Sequence, residues 1–130
     1  MDLKDPQISE WERFYRSFKF AGNGIIETFK TERNFQIHVY ISIFIIIVGF
    51  TLHFALFEWI IILFLIGGML SLELMNTALE RVVDLVTIEV KPLARAAKDA
   101  AAGAVFIYAI LSVIIGVLII SNHIPFNWFK

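Results

Sequence analysis

The stretch WIIILFLIGGMLSLELMNTALERVVDL, residues 59–85, begins as a membrane segment and ends as something else. From Trp59 to Leu72 it is apolar throughout. From Glu73 onward it carries Glu73, Asn76, Glu80 and Asp84 while the aliphatic spacing continues to Leu85. At 1.5 Å per residue such a helix reaches about 40 Å, enough to cross a hydrocarbon core of about 30 Å and project a polar end beyond it. At about 100° per residue, positions 73, 76, 80 and 84 fall within an arc of about 80°, so three carboxylates and one amide share a face. An ionisable group at membrane depth costs a few kcal/mol and usually faces a bundle interior or a polar cavity, which makes this face the leading functional candidate. The plainer alternative is that Glu73 pairs with a basic side chain while Glu80 and Asp84 are solvated.

Two further apolar runs flank this one, Ile37–Phe57 and Ala101–Ser121, the third closed by Pro125 with Trp128 as an interfacial anchor. Composition agrees: of 130 residues, 58% are hydrophobic and 18% charged, with a mean hydropathy of +0.76. The expectation is a single all-α membrane domain over residues 1–130, with spans at 37–57, 59–85 and 101–121. A net charge of −1 provides no field for nucleic acid, and the lack of cysteine excludes thiolate metal sites and thiol nucleophiles. The opening residues lack the features of a signal peptide, so the mature chain is expected to start at Met1.

Positive charge sets the expected orientation. Lys4, Arg13, Arg16, Lys19, Lys30 and Arg33 precede the first span, Arg81, Lys91, Arg95 and Lys98 flank the second connection, and only Lys130 follows the third span. The N-terminus and the 86–100 loop are therefore expected in the cytoplasm and the C-terminus outside. Over residues 8–30, Trp11, Phe14, Tyr15, Phe18, Ile25, Ile26 and Phe29 recur at helical spacing among basic residues. That pattern predicts an amphipathic surface helix, with Gly22 and Gly24 as bend points.

Acidic oxygens without cysteine or clustered histidine suit Mg²⁺ better than zinc, and Mg²⁺ suggests phosphate. Glu32 stands just before the first span, where it can approach Glu80 from a neighbouring helix; alone it reads as a solvated interface charge. Lys98, beside Asp99, is placed to neutralise phosphate charge, or to serve only as a cytoplasmic anchor. His38, His53 and His123 show no ligand spacing and read as packing residues. There is no G-x-x-x-x-G-K-[ST] and no soluble-kinase motif. The small residues from Ala94 to Ala104 predict close helix packing.

Residues 73–84, ELMNTALERVVD, followed by AKDAAAGAV at 97–105, resemble the small integral-membrane lipid kinases of the prokaryotic diacylglycerol kinase and undecaprenol kinase family. TERNFQIH at 31–38 and KDAAAG at 98–103 are closer to its Gram-positive undecaprenol kinase branch. The resemblance implies a homotrimer of three-span subunits in the bacterial cytoplasmic membrane, transferring the γ-phosphoryl group of MgATP to a lipid alcohol. It implies Glu73 as catalytic base, Glu32 and Glu80 as metal ligands, and Arg13, Glu89, Lys98 and Asp99 as nucleotide contacts, with Asn76 beside the base. Phe20 stands where a nucleotide-contacting tyrosine is usual and Ala102 where a serine near the lipid is usual, so those contacts are not carried over. Undecaprenol is the expected acceptor and diacylglycerol the rival. A non-enzymatic oligomer or an ion-coupled transporter is the more distant alternative, although no inverted repeat is visible.

Overall fold

The computed structural model describes residues 9–124, all of its regular structure helical. Lys4, Ile8, Pro125, Trp128 and Lys130, which carried expectations above, lie outside the described residues. Helix α1 spans Glu10–Thr31, α2 Arg33–Thr51, α3 Leu56–Val86 and α4 Pro92–His123. The last three are long and apolar enough to cross a membrane.

Helix α1 starts where Ser9 accepts a hydrogen bond from the Glu12 backbone N–H, with Glu10 and Glu12 favourably placed in the first turn. It runs unbroken through Gly22 and Gly24, because a single glycine weakens a helix without having to end it. Trp11, Phe14, Tyr15 and Phe18 are exposed along it. The break comes at Glu32, an extended residue (φ −105°, ψ 110°) that caps α1 and opens α2. The corner is secured from both sides: the Glu32 N–H donates to the Thr28 carbonyl (2.8 Å), and the Gln36 side-chain amide donates to the Phe29 carbonyl (2.7 Å). Thr28 and Phe35 are buried on either side of it.

Helix α2 starts four residues before the expected 37 and ends at Thr51, well short of the expected 57. The cause is a Schellman-type C-cap, in which His53 takes a left-handed conformation (φ 55°) and the Phe54 N–H returns to the Gly49 carbonyl at 3.0 Å. Phe54 thereby folds into the core with Ile62, Leu65 and Ile119. Gly49 is required for that closure, since a Cβ there would lie 2.8 Å from Trp59 and 2.9 Å from Phe54. Helix α3 then starts with Glu58 accepting from the Ala55 N–H (2.8 Å).

Helix α4 starts at Pro92, nine residues before the expected 101. Proline at the first helical position and the alanine-rich sequence behind it both favour helix, so the element extends well beyond its apolar part. Its most extensive interface is with α3. There Tyr108 lies over Gly68, where any Cβ would collide with the phenol, and its hydroxyl donates to the Phe64 carbonyl at 3.1 Å.

Candidate functional site

The buried residues of α3 are Ile62, Leu65, Met69, Glu73 and Thr77. Their spacing of three and four residues is one continuous helical stripe, so Glu73 occupies the position that an aliphatic side chain holds in each preceding turn. The residue is 4% exposed. Facing it from α2 is His38, whose Nε2 lies 3.3 Å from Glu73 Oε1. The sequence reading of His38 as a packing residue is thus corrected: the ring pairs with the buried carboxylate, a contact across 35 positions that local spacing cannot reveal. His123 is corrected likewise, since its Nε2 lies 2.9 Å from Glu58 at the opposite end of α3.

One turn beyond Glu73, the Asn76 side-chain amide donates to Glu80 Oε1 (2.9 Å), while Asn76 Oδ1 is buried without a partner. Glu80 and Glu32 are the like-charged neighbours of Glu73. The α1–α2 corner and the acidic face of α3 therefore place Glu32 and Glu80 within electrostatic reach of Glu73, with Asn76 bonded to Glu80. Arg81 joins it from α3. It donates to Glu27 Oε1 at 3.2 Å and to Thr31 Oγ1 at 3.0 Å, and its guanidinium stands 3.7 Å from Glu32 Oε1. Thr31 Oγ1 in turn has two acceptors within reach of its one proton, the Glu27 carbonyl at 3.1 Å and Glu32 Oε1 at 3.3 Å. Sequence reading counted Arg81 only as a cytoplasmic positive charge; its adjacency to Glu80 was the available signal.

The remaining candidates are engaged elsewhere. Lys98 of α4 forms an ion pair with Asp84, whose side chain is still 61% exposed, so the far end of the acidic face is solvated and also binds a lysine. Glu89 pairs with Lys91 in the connecting loop (3.6 Å), Asp99 with Arg95 (3.8 Å), and Arg13 with Glu10 (3.1 Å). Glu89 and Asp99 are largely exposed, each with about three quarters of its side chain accessible.

Two cavities meet at His38 and Ala109, and Glu73 lines one of them. A cleft of about 220 Å³ is lined by Asn34, His38, Glu73, Asn76, Ala102 and Phe106, among others. A second, apolar groove of about 260 Å³ runs between α2, α3 and α4 past Ile41, Ile45, Leu65, Met69 and Ile120. His38 and Ala109 line both. The arrangement can bring a polar head to a buried carboxylate while an apolar chain stays in the groove.

Among the described residues no three His, Cys, Asp or Glu side chains form a ready-made metal cage. Mg²⁺ commonly takes only one or two carboxylates and completes its shell with water and phosphate, and Glu32 and Glu80 offer oxygens of the type it prefers.

The family described as prokaryotic diacylglycerol kinase matches residues 19–120. The chain is 56% identical over 119 residues to the undecaprenol kinase of Bacillus subtilis, covering 92% of this chain and 96% of that protein. It is 42% identical over 101 residues to the diacylglycerol kinase of Synechocystis sp., covering 77% of this chain and 58% of that one. Identity to the diacylglycerol kinase of Helicobacter pylori is 26% over 99 residues, with 76% and 77% covered.

Proposed function

Because the chain belongs to the prokaryotic diacylglycerol kinase family, we propose that this multi-pass membrane protein transfers the γ-phosphoryl group of MgATP to the hydroxyl of undecaprenol. The observation that carries the reading is the placement of Glu73, a buried carboxylate at the head of an apolar stripe, open to a cleft that adjoins an apolar groove. Undecaprenol is favoured over diacylglycerol by the relative of 56% identity that bears its name; the two relatives named diacylglycerol kinase support the second reading.

In this mechanism Glu73 accepts the proton of the lipid hydroxyl as its oxygen bonds to the γ-phosphorus. The bond from that phosphorus to the β,γ-bridging oxygen breaks, and ADP leaves. Phosphoryl transfer asks mainly for positioning and charge neutralisation, so one base, two anionic ligands and a cation near the phosphates suffice. Glu32 and Glu80 would hold Mg²⁺, whose contribution when bound is to neutralise and orient the phosphates. Lys98 and Arg13 would meet the nucleotide, together with Asn76, Glu89 and Asp99. Lys98 is held by Asp84 and exchanges that partner for phosphate.

We read the active form as a homotrimer, with α1 in the cytoplasmic interface, the N-terminus inside and the C-terminus outside. The exposed aromatic residues of α1 and the small residues at the start of α4 support surface seating and close helix approach. The test is phosphorylated lipid formed by purified protein in bilayers with Mg²⁺ and ATP, undecaprenol and diacylglycerol being offered separately. Higher catalytic efficiency on undecaprenol is expected. The reverse order would exchange the two readings, and no product from either lipid would end both.

A further inference from the structure

Among the described residues, the chargeable groups that act on Glu73 are His38, Glu80 and Glu32. Two of these are themselves carboxylates. A carboxylate at this depth, nearly removed from solvent, is costly unless something holds it, and His38 alone of the three can donate a proton or carry positive charge to it. Its Nε2 is 3.3 Å from Oε1. Helix α4 faces the pair in the cleft with Ala102, Val105, Phe106 and Ala109, none of which can compete for the carboxylate. The ring itself remains 23% exposed and lines both the polar cleft and the apolar groove, so it stands where a lipid head entering from the groove must pass.

We propose that His38 is the positioning residue for Glu73: its Nε2 engages one carboxylate oxygen and leaves the other turned to the cleft where the lipid hydroxyl arrives. A glutamate has three side-chain torsions, and His38 is the partner that fixes which rotamer the carboxylate holds beside the cleft. The proton path is unchanged by the assignment. The hydroxyl proton passes to Glu73, the O–P bond forms, and ADP departs, while His38 keeps its own proton throughout. The inference rests on the kinase reading and on Glu73 as base.

Four variants test it by kcat, by KM for MgATP, and by trimer content and melting temperature. His38→Leu should lower kcat about 10- to 100-fold, the scale of loss from a small misplacement of a reacting group, with KM for MgATP unchanged. His38→Gln, whose amide donates at similar reach, should recover most of the rate. Glu73→Gln combined with His38→Leu should be no slower than Glu73→Gln alone, because a positioning residue has nothing left to position. Normal kcat in His38→Leu, or losses that multiply in the double variant, would overturn the assignment. If His38→Leu fails to assemble, His38→Asn takes its place: the same amide set one methylene back should run about tenfold slower than His38→Gln, and equal rates would overturn the proposal. The failures are separable. Near-normal turnover in Glu73→Gln would remove the base and the mechanism with it, whereas an inactive Glu73→Gln beside unaffected His38 variants would remove only the role of His38.

Discussion

Arg81→Gln separates what an exposed ion-pair network does for stability from what it does for a ligand. The guanidinium bonds Glu27 and Thr31 on the last turns of α1 and approaches Glu32 at 3.7 Å. Its side chain is 44% exposed, and those of Glu27 and Glu32 are 65% and 35% exposed. Pairs so open to solvent contribute about 0.2–1 kcal/mol each, so the variant should fold and melt close to the parent. Metal binding should respond more strongly. Arg81 and Thr31 flank Glu32 Oε1, and losing an outer partner of a metal ligand, the role proposed for Glu32, typically costs about 10- to 100-fold in affinity or activity. Glutamine supplies no charge and no fork, so Mn²⁺ binding in the presence of ADP, titrated by electron paramagnetic resonance, should weaken about tenfold, at the low end of that range. Arg81→Lys should fall between the two, because an ammonium retains the charge but cannot reach Glu27 and Thr31 together. Unchanged Mn²⁺ affinity in Arg81→Gln, with the melting temperature also unchanged, would refute the idea that Arg81 orders the Glu32 side of the site.

Glu32→Gln and Glu80→Gln should each weaken Mg²⁺-dependent ADP binding measured by calorimetry, since each replaces an anionic oxygen with an amide. Asp84→Asn should bind ADP no more weakly than the parent, because it removes the partner that holds Lys98; Lys98→Ala should lose affinity. Glu73→Gln should reduce turnover about 10²- to 10⁴-fold, as expected for a missing general base, while folding and nucleotide binding persist. Gly68→Ala should destabilise the fold by about 1–3 kcal/mol, read as a lower melting temperature, because its Cβ displaces Tyr108 from the Phe64 carbonyl.

The four-helix plan and the acidic end of α3 were legible in the sequence because they rest on local periodicity and charge. Glu73, Asn76 and Glu80 share a face by arithmetic alone. Helix ends were less legible, since hydropathy reports what contacts lipid and not where backbone hydrogen bonds stop. Phe54 and Phe57 extend the first apolar run, yet the chain turns at His53 and sends Phe54 inward. Pro92 was a local signal for the start of α4 that hydropathy overrode. The pairings His38 with Glu73 and Arg81 with Glu27 and Glu32 join residues 35 to 54 positions apart, and Lys98 takes Asp84 across a helix–helix connection. Such partners become visible only once the helices are packed, which is why a histidine read as filler stands beside the buried carboxylate.

The corner at Glu32 has a geometric consequence of its own. Glutamate is a good helix former, so nothing in residue 32 itself demands the break; the buried Thr28 and Phe35 and the Gln36 side chain impose it. Were residue 32 to join its neighbours, residues 10–51 would form one rod about 60 Å long, roughly twice the hydrocarbon thickness of a bilayer. The same peptide unit thus acts as a carpenter's joint and as the mount for a carboxylate, and loosening Gln36 or Phe35 would misdirect Glu32 without altering a single atom of its side chain.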